Sequence, residues 1–304
     1  MNSSRGQPQR TIVRGAFFCA LLLFQAGTVW PESSAGAVLF SADVRGSRSD
    51  ELIVADDDAV TIYTNSGRPI AKYPFPAEHA VPVLTLDIDR DGKQEIAFGS
   101  MDAPQPTLTV LNGMGRVIFR FIEDDLNATY STFLPQAYAN GLLYVLCGPA
   151  WARAARGILA IDAKKSAKAW MYATPSVPVA LRSSQAEGRQ TFVVSTATRD
   201  NSTFLLHGKD AAYLAGSDKF IRLFAFDGAG NTLTIEEVVV PAELAPPRST
   251  PRPDGKISGT GHFLPLAEDP DRVLLFHEPD DASLPPTEQL YLVDAGTARA
   301  LAFV

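Results

Sequence analysis

From residue 38 onward the apolar positions fall in short runs, some alternating and some continuous, broken by Gly, Pro, Asn and Asp. No stretch there sustains the 3.6-residue period of an amphipathic helix, so the chain is read as all-β. One pattern recurs within it: an apolar strand, a turn of Asp or Asn with Gly or another small residue, then a further strand. The copies lie at 60–67, 108–115, 158–163, 222–230 and 290–296, with turns at Asn65, Asn112, Asp162, Asp227 and Asp294.

These turns are spaced by roughly 50 residues for the first three and roughly 65 for the rest, within the range of propeller blades carrying loop insertions. Units one and two also begin alike, with a strand, an acidic loop and a second strand: 38–43 with 51–55, and 83–87 with 95–98. A fourth strand follows the turn, as at 116–121 and 168–172. The third unit is expected from 129–133, 142–147, 158–161 and 168–172. The fourth takes 177–181, 191–195, 221–226 and 232–239, and the fifth 262–266, 273–276, 290–293 and 298–303. Four antiparallel strands repeated in this way are the blades of a β-propeller. The expectation is five four-stranded blades over 36–304, or six if a degenerate blade lies within 195–222.

The segment joining the first two strands of unit two carries the chemistry. Asp87, Asp89 and Asp91 alternate, Gly92 permits a sharp turn, and Glu95 closes the loop. Carboxylates at positions 1, 3, 5 and 9, with the carbonyl of Lys93 at position 7, form a hard-oxygen set suited to Ca²⁺. An EF-hand is excluded, because position 12 is Phe98 and the residues after Glu95 read as a strand. Residues 86–99 resemble the FG-GAP/VCBS repeat of integrin-α-like propellers, and the resemblance implies calcium held between the first two strands of a blade. Residues 157–165, continuing to Trp170, resemble a quinoprotein-like blade ending, in which the aspartate turn and a later Trp are structural. Unit one offers Asp43, Asp50 and Glu51 around 44–47 without alternating acids, so its loop is expected to be degenerate. The loop at 268–272 lacks the glycine, and units three and four lack acidic loops, which leaves one calcium site.

The N-terminus changes the setting. Arg5, Arg10 and Arg14 precede an apolar run at 15–24 and then small polar residues, the three parts of a secretory signal over 1–35. Cleavage near Ala35 takes the net charge from −7 to −9. Retention would leave an anchor, the one circumstance in which membrane contact is expected. The reading is therefore a secreted or periplasmic protein. A cleaved chain keeps only Cys147, in an apolar strand, so a buried free thiol is expected and no intrachain disulfide can form. With 27 basic and 34 acidic residues and no basic stripe, nucleic acid is excluded as a partner.

Other polar groups read as structural. Asp56, Asp57 and Asp58 form a solvated hairpin tip, since adjacent acids point apart. His79, His207, His262 and His277 lack zinc spacing. Trp151, Trp170, Tyr144, Tyr172, Tyr213 and Tyr291 fall in or beside strands, where packing is expected. Nucleophile elbows, phosphate loops and dinucleotide fingerprints are absent from the sequence. The leading expectation is a non-catalytic, calcium-binding propeller whose loops, above all 198–216, meet an unknown protein or carbohydrate. The alternatives are a propeller enzyme, either a polysaccharide lyase or quinoprotein-like, and a scaffold subunit of an envelope complex.

Overall fold

The computed structural model describes residues 38–56, 58–75, 79–100, 107–122, 133–147, 157–174, 177–186, 189–197, 220–227, 229, 231–244, 254–266, 269, 271–278 and 289–304, all within one unit spanning 35–304. They form twenty strands and one 3-10 turn, Ala242–Leu244. The first sheet is β1 (Val38–Ala42), β2 (Glu51–Ala55), β3 (Ala59–Tyr63) and β4 (Pro69–Pro74). The second is β5 (His79–Leu86), β6 (Glu95–Ser100), β7 (Thr107–Leu111) and β8 (Val117–Ile122), and the third β9 (Phe133–Ala139), β10 (Leu142–Cys147), β11 (Gly157–Asp162) and β12 (Ala167–Ala173). β13 (Val177–Ala186), β14 (Arg189–Ala197), β15 (Arg222–Phe226) and β16 (Thr232–Glu237) form the fourth set. β17 (Thr260–Pro265), β18 (Arg272–Glu278), β19 (Gln289–Asp294) and β20 (Ala300–Phe303) form the fifth.

Each set is an antiparallel meander of four strands in chain order, and a single bridge between Ala197 and Thr260 joins the last two into one sheet. Among the described residues no helix is long and apolar enough to cross a membrane. No ladder links β1 to the fifth set among them either.

The repeat holds at the level of single residues. In all five sets the ladder between third and fourth strands slips at the same point: between Ile62 and Tyr63, Val110 and Leu111, Ala160 and Ile161, Ala225 and Phe226, and Leu292 and Val293. The next residue then folds a side-chain oxygen back onto the turn, which fixes the hairpin without needing sheet partners. Asn112 Oδ1 accepts from the N–H groups of Met114 and Arg116, Asp162 Oδ1 from Lys164 and Lys165, Asp227 Oδ1 from Ala229 and Asn231, and Asp294 Oδ1 from Thr297. In the first sheet this residue is Thr64, whose Oγ1 accepts from Arg68, rather than the Asn65 that the composition of the turn suggests.

Burial explains why the sheets stack. β15 buries all five of its residues and β10 and β11 nearly all of theirs, so both faces of these central strands are covered. A two-layer sandwich would bury alternate residues only. The outer strand β8, by contrast, exposes Val117, Ile118, Arg120 and Ile122. Aromatic pairs bridge successive sheets: Phe75 with Phe98 at 4.9 Å, Phe121 with Phe133 at 6.0 Å, and Tyr172 with Phe226 at 4.8 Å between ring centres. Between the fourth and fifth sets Ile221 and Leu223 pack with Phe263 and Leu275. Each large side chain buried this way is worth about 1.5–3 kcal/mol. The first strands form a continuous inner row, β1 against β5, β5 against β9, β9 against β13 and β13 against β17.

One strand departs from expectation. The third unit was expected to open at 129–133, yet β9 runs Phe133–Ala139, and 129–132 lie outside the described residues. Pro135 looks like a strand breaker, but it sits at a register slip opposite Val145, where a missing N–H interrupts the ladder least. Pro178 in β13 likewise adjoins a slip. The described residues hold five four-stranded sets; the part of 195–222 where a sixth blade was considered lies mostly outside them. Residues 245–253, Trp151, His207 and Tyr213 lie outside them as well.

Close backbone approach gives a test of the stacking. A Cβ on Gly113 would lie 2.0 Å from the carbonyl oxygen of Val44 in the neighbouring sheet, whereas one on Gly67 meets nothing within 4 Å. Gly113→Ala should therefore cost about 1–3 kcal/mol by chemical denaturation. Gly67→Ala, at a φ of +81°, should cost only about 1 kcal/mol, for its backbone conformation alone. Equal losses would contradict the contact between the first two sheets.

Candidate metal centre

The loop between β5 and β6 folds around its own carboxylates. Asp87 directly follows β5, and its two oxygens accept from the N–H groups of Asp91 and Gly92, at 3.1 Å each. Asp89 Oδ1 accepts a second bond from Asp91 N–H at 3.1 Å, and Glu95 Oε2 accepts from Ile88 N–H at 2.8 Å. Two left-handed residues, Arg90 (φ 65°) and Gly92 (φ 84°), make the chain turn tightly enough for this. As a result Asp87, Asp89 and Glu95 each present a carboxylate oxygen within 4.8 Å of the others.

Of the five residues singled out in the sequence, these three converge. Asp91 is turned elsewhere: its Oδ1 accepts from Lys93 N–H at 2.8 Å, and its Oδ2 is ion-paired with Lys93 Nζ. That hydrogen bond and the charge of Lys93 hold the Asp91 carboxyl below its ordinary range and raise Lys93 above its own. Glu95 is the buried member, 5% exposed. Burial pushes its pKa up to about 6; the bond from Ile88 opposes this, while Asp89, Asp91 and Asp87 add to it by charge repulsion. The donor set is all carboxylate oxygen, short of positive charge, and suits a hard divalent cation. Asp87, Asp89 and Glu95 would hold it, and Asp91 would join them only by giving up Lys93.

The loop also ties sheets together, which the sequence did not reveal. Gln94 N–H donates to the carbonyl oxygen of Asp43 in the first sheet at 2.9 Å. Tyr138 of β9 donates its hydroxyl to the carbonyl of Ile88 at 2.7 Å, and Ile88 packs on the core shared by the second and third sheets. No local signal marks Tyr138, because its partner lies 50 residues away.

The loop between β1 and β2 repeats this construction with the two middle acids replaced. Asp43 accepts from Ser47 and Arg48 as Asp87 does from Asp91 and Gly92, and Glu51 Oε2 accepts from Val44 as Glu95 does from Ile88. Left-handed residues again fall at the fourth and sixth positions, Gly46 (φ 70°) and Arg48 (φ 63°). Arg45 and Ser47 stand where Asp89 and Asp91 stand in the second sheet, so the expected degeneracy amounts to two missing ligands on an intact frame. Although desolvation pushes the other way, the N–H groups of Ser47 and Arg48 hold Asp43 below its ordinary pKa.

The remaining candidates are structural in the arrangement seen. Asp56 Oδ1 accepts from the N–H groups of Asp58 and Ala59, forming a hairpin turn. His277 is buried, with its ring nitrogens 3.0 Å from Gln289 Oε1 and 2.8 Å from the Ser258 carbonyl. Tyr144, Trp170, Tyr172 and Tyr291 make ring contacts within the core, and Cys147 is a buried free thiol.

No family model and no curated protein matches the chain. Among solved structures, a protein of unknown function from Bacteroides caccae is similar over 90% of this chain and 82% of its own, at 11% identity and TM-score 0.46. The Pan2 WD40 domain of Neurospora crassa is similar over 84% of this chain, at 10% identity and TM-score 0.45. This chain spans 62% of that domain's length. The β-propeller domain of the Trilobed protease from Pyrococcus furiosus is similar over 87% of this chain and 71% of its own, at 12% identity and TM-score 0.40.

The raised Glu95 sets a pH dependence. In calcium-free protein the folded state keeps a proton that the unfolded chain releases, so stability falls as pH rises from 4.5 to about 6 through this residue. Denaturation midpoints across that window, with chelator present, should show this slope, and Glu95→Gln should flatten it. An unchanged slope in the variant would assign the effect to other groups.

Proposed function

We propose that this chain is an exported, non-catalytic β-propeller of five four-stranded blades, of FG-GAP type, stabilised by one Ca²⁺ in the loop from Asp87 to Glu95. The observation that carries the reading is the convergence of Asp87, Asp89 and Glu95 in a loop joined to both neighbouring sheets. An ion there neutralises three mutually repelling carboxylates at the junction of three sheets. Its work is structural, holding the hairpin and its neighbours in register.

The propeller is supported by sheets buried on both faces and by the continuous inner row of first strands. Ring closure would cover the outer faces and edges that an open stack leaves exposed. Export is supported by the basic, apolar and small-residue order of 1–35. The non-catalytic role is supported by the engagement of His277 and the buried tyrosines in packing. The partner is a protein or a carbohydrate, met through inserted loops such as 198–216, where lengthy connections between strands commonly carry recognition. Nucleic acid is disfavoured by the net charge of −7, and membrane contact belongs only to a chain that keeps its N-terminal segment.

Calcium at a hundredfold excess over its Kd should add about 2.7 kcal/mol to stability, and chelation should remove it. Magnesium should replace it poorly, since a flexible oxygen loop suits the larger ion. Asp89→Ala should abolish most of this response, while Asp58→Ala, at the exposed hairpin tip, should leave it intact. Identical melting curves with chelator and with calcium would refute the site.

A further inference from the structure

Each set ends in a fourth strand whose outer edge pairs with no other described strand, and a free edge is a template for another chain. Four of the five are guarded. β4 has Pro69 and Pro74 at its ends with Lys72 between them, β12 carries Lys168, β16 carries Glu236 and Glu237, and β20 has only four residues. β8 lacks these devices. Its six residues, Val117–Ile122, are Arg120 and five apolar residues of high strand preference, with neither Pro nor Gly. Phe119 and Phe121 turn into the core, while Ile118 and Ile122 stay 48% and 39% exposed. Arg120 is the one charge on the strand, and its Nη2 donates to the Tyr73 hydroxyl of β4 at 3.2 Å, which draws the side chain toward the first sheet.

The charge along this edge is of one sign. The hairpins at 59–75 and 107–122 contain Arg68, Lys72, Arg116 and Arg120 and no Asp or Glu, in a chain of net charge −7. Glu123, Asp124 and Asp125 follow β8 outside the described residues. The turn oxygen sets these two hairpins apart from the rest: Thr64 and Asn112 are neutral where Asp162, Asp227 and Asp294 stand in the third to fifth sets. The repeat places the two hairpins side by side. The carbonyls of Arg68 and Arg116 accept alike from the N–H groups of Thr64 and Asn112, at 2.8 and 2.9 Å, and a Cβ on Gly115 would lie 3.3 Å from the Cβ of Ala71 in β4. All four basic residues are exposed, and none is paired with a carboxylate among the described residues.

We propose that β8 takes an extended, acidic segment of a partner protein as a fifth strand of the second sheet. Backbone groups on the free edge supply the pairing, apolar side chains of the segment cover Ile118 and Ile122, and its carboxylates meet Arg116 and Arg120. The surface lies at the opposite edge of the sheet from β5, where the Asp87 loop begins. It rests on the reading of this chain as a partner-binding scaffold and is independent of calcium.

The full chain, with calcium present, is titrated into a fluorescent peptide of alternating valine and glutamate, and binding is read by anisotropy. Two control peptides share its length. One has lysine for glutamate, and the other is methylated on its backbone nitrogens, which blocks strand pairing and keeps the charge. The expected result is saturable binding of the glutamate peptide, at least tenfold weaker for both controls, for the double variant Arg116→Gln with Arg120→Gln and for Ile118→Lys, and unchanged in Asp89→Ala. Arg116→Gln alone, away from the Tyr73 contact, should weaken binding severalfold and serves if the double variant does not fold. Equal binding of the methylated peptide would overturn edge pairing in favour of simple charge attraction, and binding untouched by the substitutions would place the peptide elsewhere. Self-association of the chain that Ile118→Lys abolishes would give the edge to a second copy. Adsorption to phosphatidylserine vesicles without peptide binding would give it to a membrane, and either outcome would overturn the proposal. Loss of calcium stabilisation with peptide binding intact would refute only the metal reading.

Discussion

A four-stranded sheet whose middle strands are apolar on both faces has to be covered twice over, and in this chain the covering is done by another sheet of the same kind. That constraint organises the rest. β11 and β15 have no polar face to turn to solvent, so each set stacks on the sets before and after it in sequence. Stacking at this closeness leaves little room where backbones meet. Gly99 and Gly113 stand at such points, where an added Cβ would fall 1.8 Å from the Phe133 carbonyl oxygen and 2.0 Å from that of Val44. The slip before each turn and the side-chain oxygen that follows it give every hairpin the same exit, and this lets one unit be repeated without accumulating error.

Against that apolar background the loop from Asp87 to Glu95 is an electrostatic exception in a position of leverage. Its carboxylates are gathered by backbone N–H groups, one of them buried, and its ends are bonded to the first and third sheets. The matching frame from Asp43 to Glu51 shows that the fold does not need the two middle acids to form the loop. Backbone bonds to Asp43 and Glu51 suffice there, with Arg45 and Ser47 in place of acids. What the acids of the second loop add is a cluster of negative charge, placed where the loop is bonded to both neighbouring sheets. Lys93 supplies part of the counter-charge through Asp91, so a divalent ion drawing on Asp91 competes with its ammonium group.

Much of this was legible in the sequence because the determinants are local. Alternation gave the strands, and the turn residues at Asn112, Asp162, Asp227 and Asp294 marked the hairpins that the structure contains. Thr64 escaped notice because a threonine hydroxyl fills a place that elsewhere belongs to Asp or Asn. β9 runs past the expected 129–133 through Pro135, at a slip that only the partner strand reveals. In the loop, Asp87, Asp89 and Glu95 were readable from spacing, but the pairing of Asp91 with Lys93 was not, since position 7 was read for its carbonyl alone. Tyr138 and Gln94 depend on contacts between units, and no window of sequence contains both partners.

The central claim is that one cation at the Asp87 loop stabilises the junction of three sheets. Amide hydrogen exchange, followed residue by residue while calcium is added to metal-free protein, tests it most directly. The account predicts slower exchange at Ile88, Asp91, Gly92 and Gln94, whose N–H groups bond to the loop carboxylates or to Asp43, together with slowing across 43–51 and in β9, whose contacts the loop shares. Unchanged exchange through 87–95 at saturating calcium would contradict it, and slowing confined to that loop would show that the ion does not reach the neighbouring sheets.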